Sequence, residues 1–142
     1  MRILITGGAG FIGSNFIRYL LKKYPRYLVI NLDKLTYAGN LDNLRDVEKN
    51  KNYRFIKGDI CDYALVNKIT RDCDGIINFA AESHVDKSLI DARNFINTNV
   101  FGTYALLRAA RENKIKRFLH IGTDEVYGSC VQGHCLESRI LN

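Results

Sequence analysis

An α/β fold, a doubly wound parallel sheet of about five strands with helices on both faces, follows from three features of the sequence. The first is a rhythm in which short apolar runs alternate with stretches of helical spacing. The second is Ile3-Leu4-Ile5-Thr6-Gly7-Gly8-Ala9-Gly10-Phe11-Ile12-Gly13-Ser14, where a β-branched run drops into three glycines spaced three apart and then into a helix start. The third is Ile76-Ile77-Asn78-Phe79-Ala80, a nearly continuous apolar run of the kind a parallel sheet buries on both faces. Right-handed crossovers and a 3-2-1-4-5 strand order put a crevice between strands one and four.

The first strand opens into the glycine turn. Gly7 permits the sharp reversal, Gly10 lets a pyrophosphate approach the backbone, and Gly13 lets the helix pack closely on its strand. Unpaired N–H groups at that helix start face the phosphates, aided by the helix dipole. Phe16, Ile17, Leu20 and Leu21 have helical spacing, and Pro25 stops the helix. A second strand from about Tyr27 ends in Asp33, roughly twenty residues past the last glycine, the place of the ribose-binding carboxylate in an NAD-binding βαβ unit. Gly39 and Asn40 mark a loop that starts at Lys34, and a short helical segment runs from Leu41 to Val47.

A third strand, Tyr53 to Lys57, ends at Gly58-Asp59. Asp59 suits an adenine contact at the ligand edge of an open sheet, while Asp59 or Asp62 equally suits a cap for the next helix. That helix, about Tyr63 to Arg71, carries Leu65, Val66 and Ile69 on one face and breaks at Asp74-Gly75. Strand four, Ile76 to Ala80, leads into Ala81-Glu82-Ser83-His84-Val85-Asp86, where His84 taken alone reads as an ordinary loop histidine. The longest helix spans roughly Asp91 to Asn113, with Phe95, Ile96, Val100, Tyr104, Leu107 and Ala110 as its apolar face. Thr98 and Asn99 interrupt that face, either bonding locally or pointing to a cofactor. Strand five, Arg117 to Gly122, brings Thr123-Asp124-Glu125 to the same edge as the glycine turn.

At 142 residues the chain is one domain, large enough for a core but small for a complete enzyme of this architecture. Neither an internal repeat nor a linker divides it. No window has the apolar length of a membrane span, and glycines interrupt any signal-peptide shape at once, so a cytoplasmic protein is expected. Cys61, Cys73, Cys130 and Cys135 follow no metal-ligand spacing and read as free thiols, with no metal expected. The net charge of +6 comes from basic residues scattered at element ends, a solvated surface rather than a nucleic-acid site.

Thr123, Asp124 and Glu125 form the densest chemistry at the ligand edge. Adjacent carboxylates suit a reaction needing one general acid and one general base; the same pair also suits a solvated surface turn. Six segments carry a family resemblance: TGGAGFIGS (Thr6 to Ser14), LDKLTYAGNL (Leu32 to Leu41), GDICD (Gly58 to Asp62), FAAESHVDKS (Phe79 to Ser88), NTNVFGTYALLRAAR (Asn97 to Arg111) and TDEVYG (Thr123 to Gly128). Together they closely resemble the dTDP-glucose 4,6-dehydratases, extended short-chain dehydrogenase/reductases with a Rossmann-like fold. LTYAGNL, AAESHVD and TDEVYG are far more specific than the glycine signature.

The resemblance implies NAD as cofactor, a nucleotide sugar as substrate and a sequence of C4 oxidation, loss of water across C5 and C6, and hydride return to C6. By motif, Asp124 is expected to protonate the departing C6 hydroxyl, Glu125 to take the C5 proton and Thr123 to hydrogen-bond the sugar at C4. Phe11 and Ile12 are expected over the pyrophosphate, and Asp33, Lys34, Leu35 and Thr36 around the adenosine ribose. Asp59 and Ile60 are expected beside adenine, with Phe79, Ala80, Ala81, Glu82 and Thr98 on the nicotinamide side and Ser83 or His84 near the substrate. Epimerases of the superfamily return hydride to C4 and need no such carboxylate pair, so Asp124-Glu125 favours dehydration. The resemblance further implies, for intact members, homodimers packed through the long helix and the helix of the Tyr-x-x-x-Lys pair.

The resemblance covers the dinucleotide-binding portion, residues 1–128, whereas residues 129–142 form an atypical tail. No Tyr-x-x-x-Lys pair follows Gly128; Tyr19 with Lys23 and Tyr53 with Lys57 match the spacing only on the first helix and the third strand. The substrate domain is absent, so this chain is expected to bind NAD without turning over a sugar nucleotide.

Overall fold

A computed structural model describes residues 1–84, 92–128, 133–138, 140 and 141. Five parallel strands, β1 (Arg2–Thr6), β2 (Leu28–Asp33), β3 (Tyr53–Lys57), β4 (Gly75–Asn78) and β5 (Arg117–His120), pair in the order β3-β2-β1-β4-β5. That is the order read from the sequence. Thr6 lies level with Leu32 on one side and Asn78 on the other, and Asn78 with His120, so the carboxyl ends share one edge.

The pleat of β1 divides the core between the two faces. Ile3 and Ile5 pack with Ile17, Leu20 and Leu21 of helix α1 (Phe11–Lys23), whereas Leu4 packs with Val66 of α2 (Tyr63–Thr70) and with Leu106, Ala109 and Ala110. Each fully buried Leu or Ile in these clusters contributes about 2 kcal/mol. Asp62 caps α2, its Oδ1 accepting from the Leu65 amide at 3.0 Å. Asp59 therefore has other work.

The long helix passes through three windings: a short α segment (Arg93–Phe95), a π segment (Ile96–Gly102) and a regular α segment (Thr103–Glu112), together α3. Its buried side is Gly102, Ala105, Leu106, Ala109 and Ala110, while Ile96, Val100, Tyr104 and Leu107 face outward. Of the apolar face expected from periodicity, Ala110 is buried and Phe95 half-buried, while Ile96, Val100, Tyr104 and Leu107 are turned away from the sheet. At Gly102 the helix lies too close for any side chain: a Cβ there would stand 2.5 Å from the Ile60 side chain.

Other boundaries shift for local reasons. β4 stops at Asn78, not Ala80, because the Ala80 amide bonds back to the Asn78 side chain at 3.2 Å. β5 stops at His120, not Gly122, and a 3₁₀ turn (Asp124–Tyr127) follows. The segment expected as a helix to Val47 is a 3₁₀ turn (Leu41–Leu44), opened by Asn40 accepting from the Asp42 amide at 2.9 Å. Asp91, Val85, Asp86 and Cys130 lie outside the described residues. Among those described, no helix is long and apolar enough to cross a membrane.

Candidate dinucleotide and active site

Backbone geometry builds the centre of the site. Gly7 has φ +67°, and a Cβ there would meet the Ala80 backbone at 2.6 Å. A Cβ on Gly13 would stand 2.4 Å from the Gly7 carbonyl oxygen, so these two glycines let the turn wedge between α1 and the chain leaving β4. Gly10 differs: its extended backbone would accept a Cβ whose closest protein neighbour is the Gly7 oxygen at 3.3 Å. The space above Gly10 is not filled by packing. No side chain caps α1, its first turn carries no acidic residue, and Phe11 and Ile12 stand 81% and 63% exposed beside it. Free N–H groups, a positive helix end and an open backbone fit the pyrophosphate of a dinucleotide.

The ends of β2 and β3 carry carboxylates already oriented by the protein. Asp33, 8% exposed, accepts from the Ala9 amide through Oδ2 and from the Leu35 amide through Oδ1, each at 2.8 Å. Leu35 takes a left-handed φ of +57°, a strained geometry held by that second bond. Asn40 and Asn43 tie the loop back to the glycine turn through the Ala9 carbonyl. Lys34 and Thr36 are exposed on the same loop.

Asp59, at the end of β3, accepts from the Cys61 amide at 2.9 Å and pairs with the Lys34 ammonium at 2.7 Å. Burial alone would raise the Asp59 carboxyl, but the Cys61 amide and Lys34 together hold it below its ordinary value. Asp59 in turn holds the Lys34 ammonium above its usual value. Ile60 is buried in the core, so only its backbone lies at this edge.

On the far side of the glycine turn, buried Asn78 organises a polar chain from buried Thr6 to exposed His120. Its Oδ1 accepts from the Thr6 hydroxyl and the Ala80 amide, and its Nδ2 lies 3.1 Å from His120 Nδ1. The Phe79 ring packs on Phe16 with centroids 5.3 Å apart, leaving its backbone to face Gly7. Ala80 and Ala81 follow, and Glu82 is clamped at both backbone groups by Asn99, which accepts from Glu82 N at 2.9 Å and donates to Glu82 O at 3.0 Å. Asn99, expected either to bond locally or to point to a cofactor, reaches across to the backbone of the loop after β4. Asn99 lies in the π winding, as does half-buried Thr98. Ser83 and His84 are exposed, with the His84 ring 4.9 Å from Tyr37 of the loop after β2.

Thr123, Asp124 and Glu125 are exposed at the end of β5, beside the loop that leaves β4. The structure thus gathers Gly7, Gly10, Gly13, Asp33, Lys34 and Asp59 around one half of the edge and Ala80 to His84, Asn99 and Thr123 to Glu125 around the other. The Tyr19 hydroxyl does meet Lys23 Nζ at 2.5 Å, but near the carboxyl end of α1, away from the strand edge. Tyr53 accepts instead from Asn31 Nδ2 at 3.0 Å. A cleft of about 500 Å³ lies along the lower part of β4 and β5, lined by Tyr24, Tyr27, Ile77 and Leu119, and is no part of this edge. Thr6, Asn78, His120 and Asn99 are the site residues that sequence reasoning missed or left open. For Asn78 the available signal was an amide in the middle of an apolar strand.

Residues 4–142 match the GDP-mannose 4,6 dehydratase family. The chain belongs to that family. A dTDP-glucose 4,6-dehydratase of Streptomyces niveus is 51% identical over 137 residues, which are 94% of this chain and 41% of the relative. The human dTDP-D-glucose 4,6-dehydratase is 45% identical over 139 residues, covering 96% of this chain and 40% of the relative. Among solved structures, the dTDP-glucose 4,6-dehydratase of Streptomyces venezuelae, crystallised with NAD bound, superimposes with a TM-score of 0.94 at 50% identity, covering all of this chain and 45% of that one. The chain therefore spans less than half the length of these family members.

Proposed function

We propose that this chain is the NAD-binding part of a dTDP-glucose 4,6-dehydratase and works in the cytoplasm. The observation that carries this reading is the shared strand edge: an open phosphate cradle at Gly10, in the turn after β1, and the Thr123-Asp124-Glu125 triplet after β5, with Asn78 and the Glu82 loop between them. Phe11 and Ile12 cover the pyrophosphate; Asp33 takes the adenosine ribose; Asp59 and the Ile60 backbone border adenine. Bound NAD supplies reversible hydride acceptance from the sugar C4.

The chain's own residues handle the protons. Glu125 removes the C5 proton, which is acidified once C4 is a carbonyl, and Asp124 gives a proton to the departing C6 oxygen, which leaves as water. Thr123 hydrogen-bonds the C4 oxygen. An acid and a base side by side serve an elimination on one face of the sugar, provided their surroundings separate their affinities for the proton. The exposed stripe Ile96, Val100, Tyr104 and Leu107 suits the homodimer contact expected of the family.

The test is a chimera that joins residues 1–128 to the C-terminal part of the Streptomyces niveus relative. Mass spectrometry should register loss of one water from dTDP-glucose. The Asp124→Asn chimera should still exchange the C5 hydrogen with solvent while losing water slowly, and Glu125→Gln should abolish both. Equal exchange in the two variants would refute the division of roles. The 142-residue chain alone should bind NADH and form no dehydrated product.

A further inference from the structure

The ribose end carries two opposing signals. A buried carboxylate at Asp33 favours a free 2′-hydroxyl, whereas a cation beside it, Lys34, is the kind of group that accommodates a 2′-phosphate. Their charges alone leave the choice between the phosphorylated and unphosphorylated dinucleotide undecided.

The contacts decide it. Lys34 Nζ sits 2.7 Å from Asp59 Oδ2, on the neighbouring strand end. Asp59 is itself fixed, its other oxygen accepting from the Cys61 amide at 2.9 Å. The backbone ties the two strand ends together, since the Gly58 amide bonds the Asp33 carbonyl at 3.0 Å. Asp33, Lys34 and Asp59 therefore carry one net negative charge. A dianionic 2′-phosphate arriving there meets Asp33 directly and finds the Lys34 ammonium already paired with Asp59.

We infer that Asp59 is a positioning residue for cofactor selectivity: by holding Lys34 it denies a 2′-phosphate its cation and biases the site toward NAD over NADP. The inference rests on the dinucleotide-binding reading above. It assigns Asp59 a role through Lys34, distinct from any contact of its own with adenine.

Nicotinamide fluorescence titrations of the 142-residue chain with NADH and with NADPH test it. In Asp59→Asn the ratio of NADPH to NADH affinity should rise about tenfold, the scale of one charge-assisted hydrogen bond at a partly exposed site. Asp59→Glu, which keeps a carboxylate within reach of Lys34, should retain the wild-type ratio. Adding Lys34→Ala to Asp59→Asn should cancel the gain. A loss of adenine contact weakens both dinucleotides alike and leaves the ratio unmoved. If wild type binds NADH and the ratio is unchanged in Asp59→Asn, or rises equally without Lys34, the selectivity inference falls alone. If wild type binds neither dinucleotide, the underlying reading falls and takes the inference with it.

Discussion

Gly10 and Gly13 lie three residues apart in one turn, yet an added methyl group should do different things at each. At Gly13 it would stand 2.4 Å from the Gly7 oxygen and 2.8 Å from Gly8 Cα, both backbone atoms. Ordinary contact begins near 3.4 Å, so the turn would have to move by about 1 Å, and Gly7 is already pressed against Ala80. Overpacking of this kind costs about 1–3 kcal/mol, and rigid atoms on both sides put Gly13→Ala at the upper end. At about 3–4 °C per kcal/mol for a chain of this size, melting should fall by about 10 °C. At Gly10 the nearest protein atom is 3.3 Å away and the backbone is extended. Losing a glycine cap costs about 0.5–1 kcal/mol, and restricting the unfolded chain returns about as much. Gly10→Ala should therefore melt within about 3 °C of wild type. Its methyl group nonetheless fills the space a pyrophosphate needs, so NADH affinity should drop at least about tenfold. Scanning calorimetry with NADH titration reads both quantities. A Gly10→Ala protein that binds NADH like wild type, or that melts as low as Gly13→Ala, would refute the reasoning.

Removal of the Asn99 clamp should loosen the loop after β4 without unfolding the chain, since Asn99→Ala strips partners from both backbone groups of Glu82. Hydrogen exchange at the Glu82 amide should accelerate while melting changes little; unchanged exchange would show that the clamp is idle. The Cys61 and Cys73 thiols are both pushed up by burial, from a usual value near 9 to about 11, with Asp59 adding to the effect at Cys61. Their thiolates are disfavoured in the fold, so the associated stability is complete below pH 9 and lost as pH rises through about 11. Peptide-resolved alkylation at pH 8 should run about a hundredfold slower for these two residues than in the urea-unfolded chain, in proportion to thiolate fraction. Equal rates would overturn that account.

Much of this architecture was legible because it rests on backbone rules. Three glycines at fixed spacing, an aspartate closing β2 and an apolar fourth run specify strand order and the edge where ligands gather. The long helix was misread because periodicity counts apolar residues without regard to size. The inner side is Gly102, Ala105, Leu106, Ala109 and Ala110, with Gly102 pressed against Ile60, and Ile96, Val100, Tyr104 and Leu107 lie outward. The polar chain from Thr6 through Asn78 to His120 was illegible for another reason. Each member sits on a different strand, and the contact exists only once parallel register places them at one level. Asn99 needed a further condition, since a change of helical winding aims its amide at the Glu82 backbone.

The two halves of the strand edge differ in how far this chain completes them. Around Gly10, Asp33 and Asp59, every orienting hydrogen bond comes from the chain itself: the Ala9, Leu35 and Cys61 amides fix the carboxylates, and Asn40 and Asn43 anchor the loop. Around Thr123, Asp124 and Glu125, the described residues supply only a 3₁₀ turn and an exposed setting. On the proposed reading, dinucleotide binding rests on the first half and the chemistry of the sugar on the second. The two capacities should therefore come apart in experiment. Dinucleotide binding should respond to Gly10 and Asp33 in the isolated chain, whereas the roles of Asp124 and Glu125 should emerge only where further protein covers them.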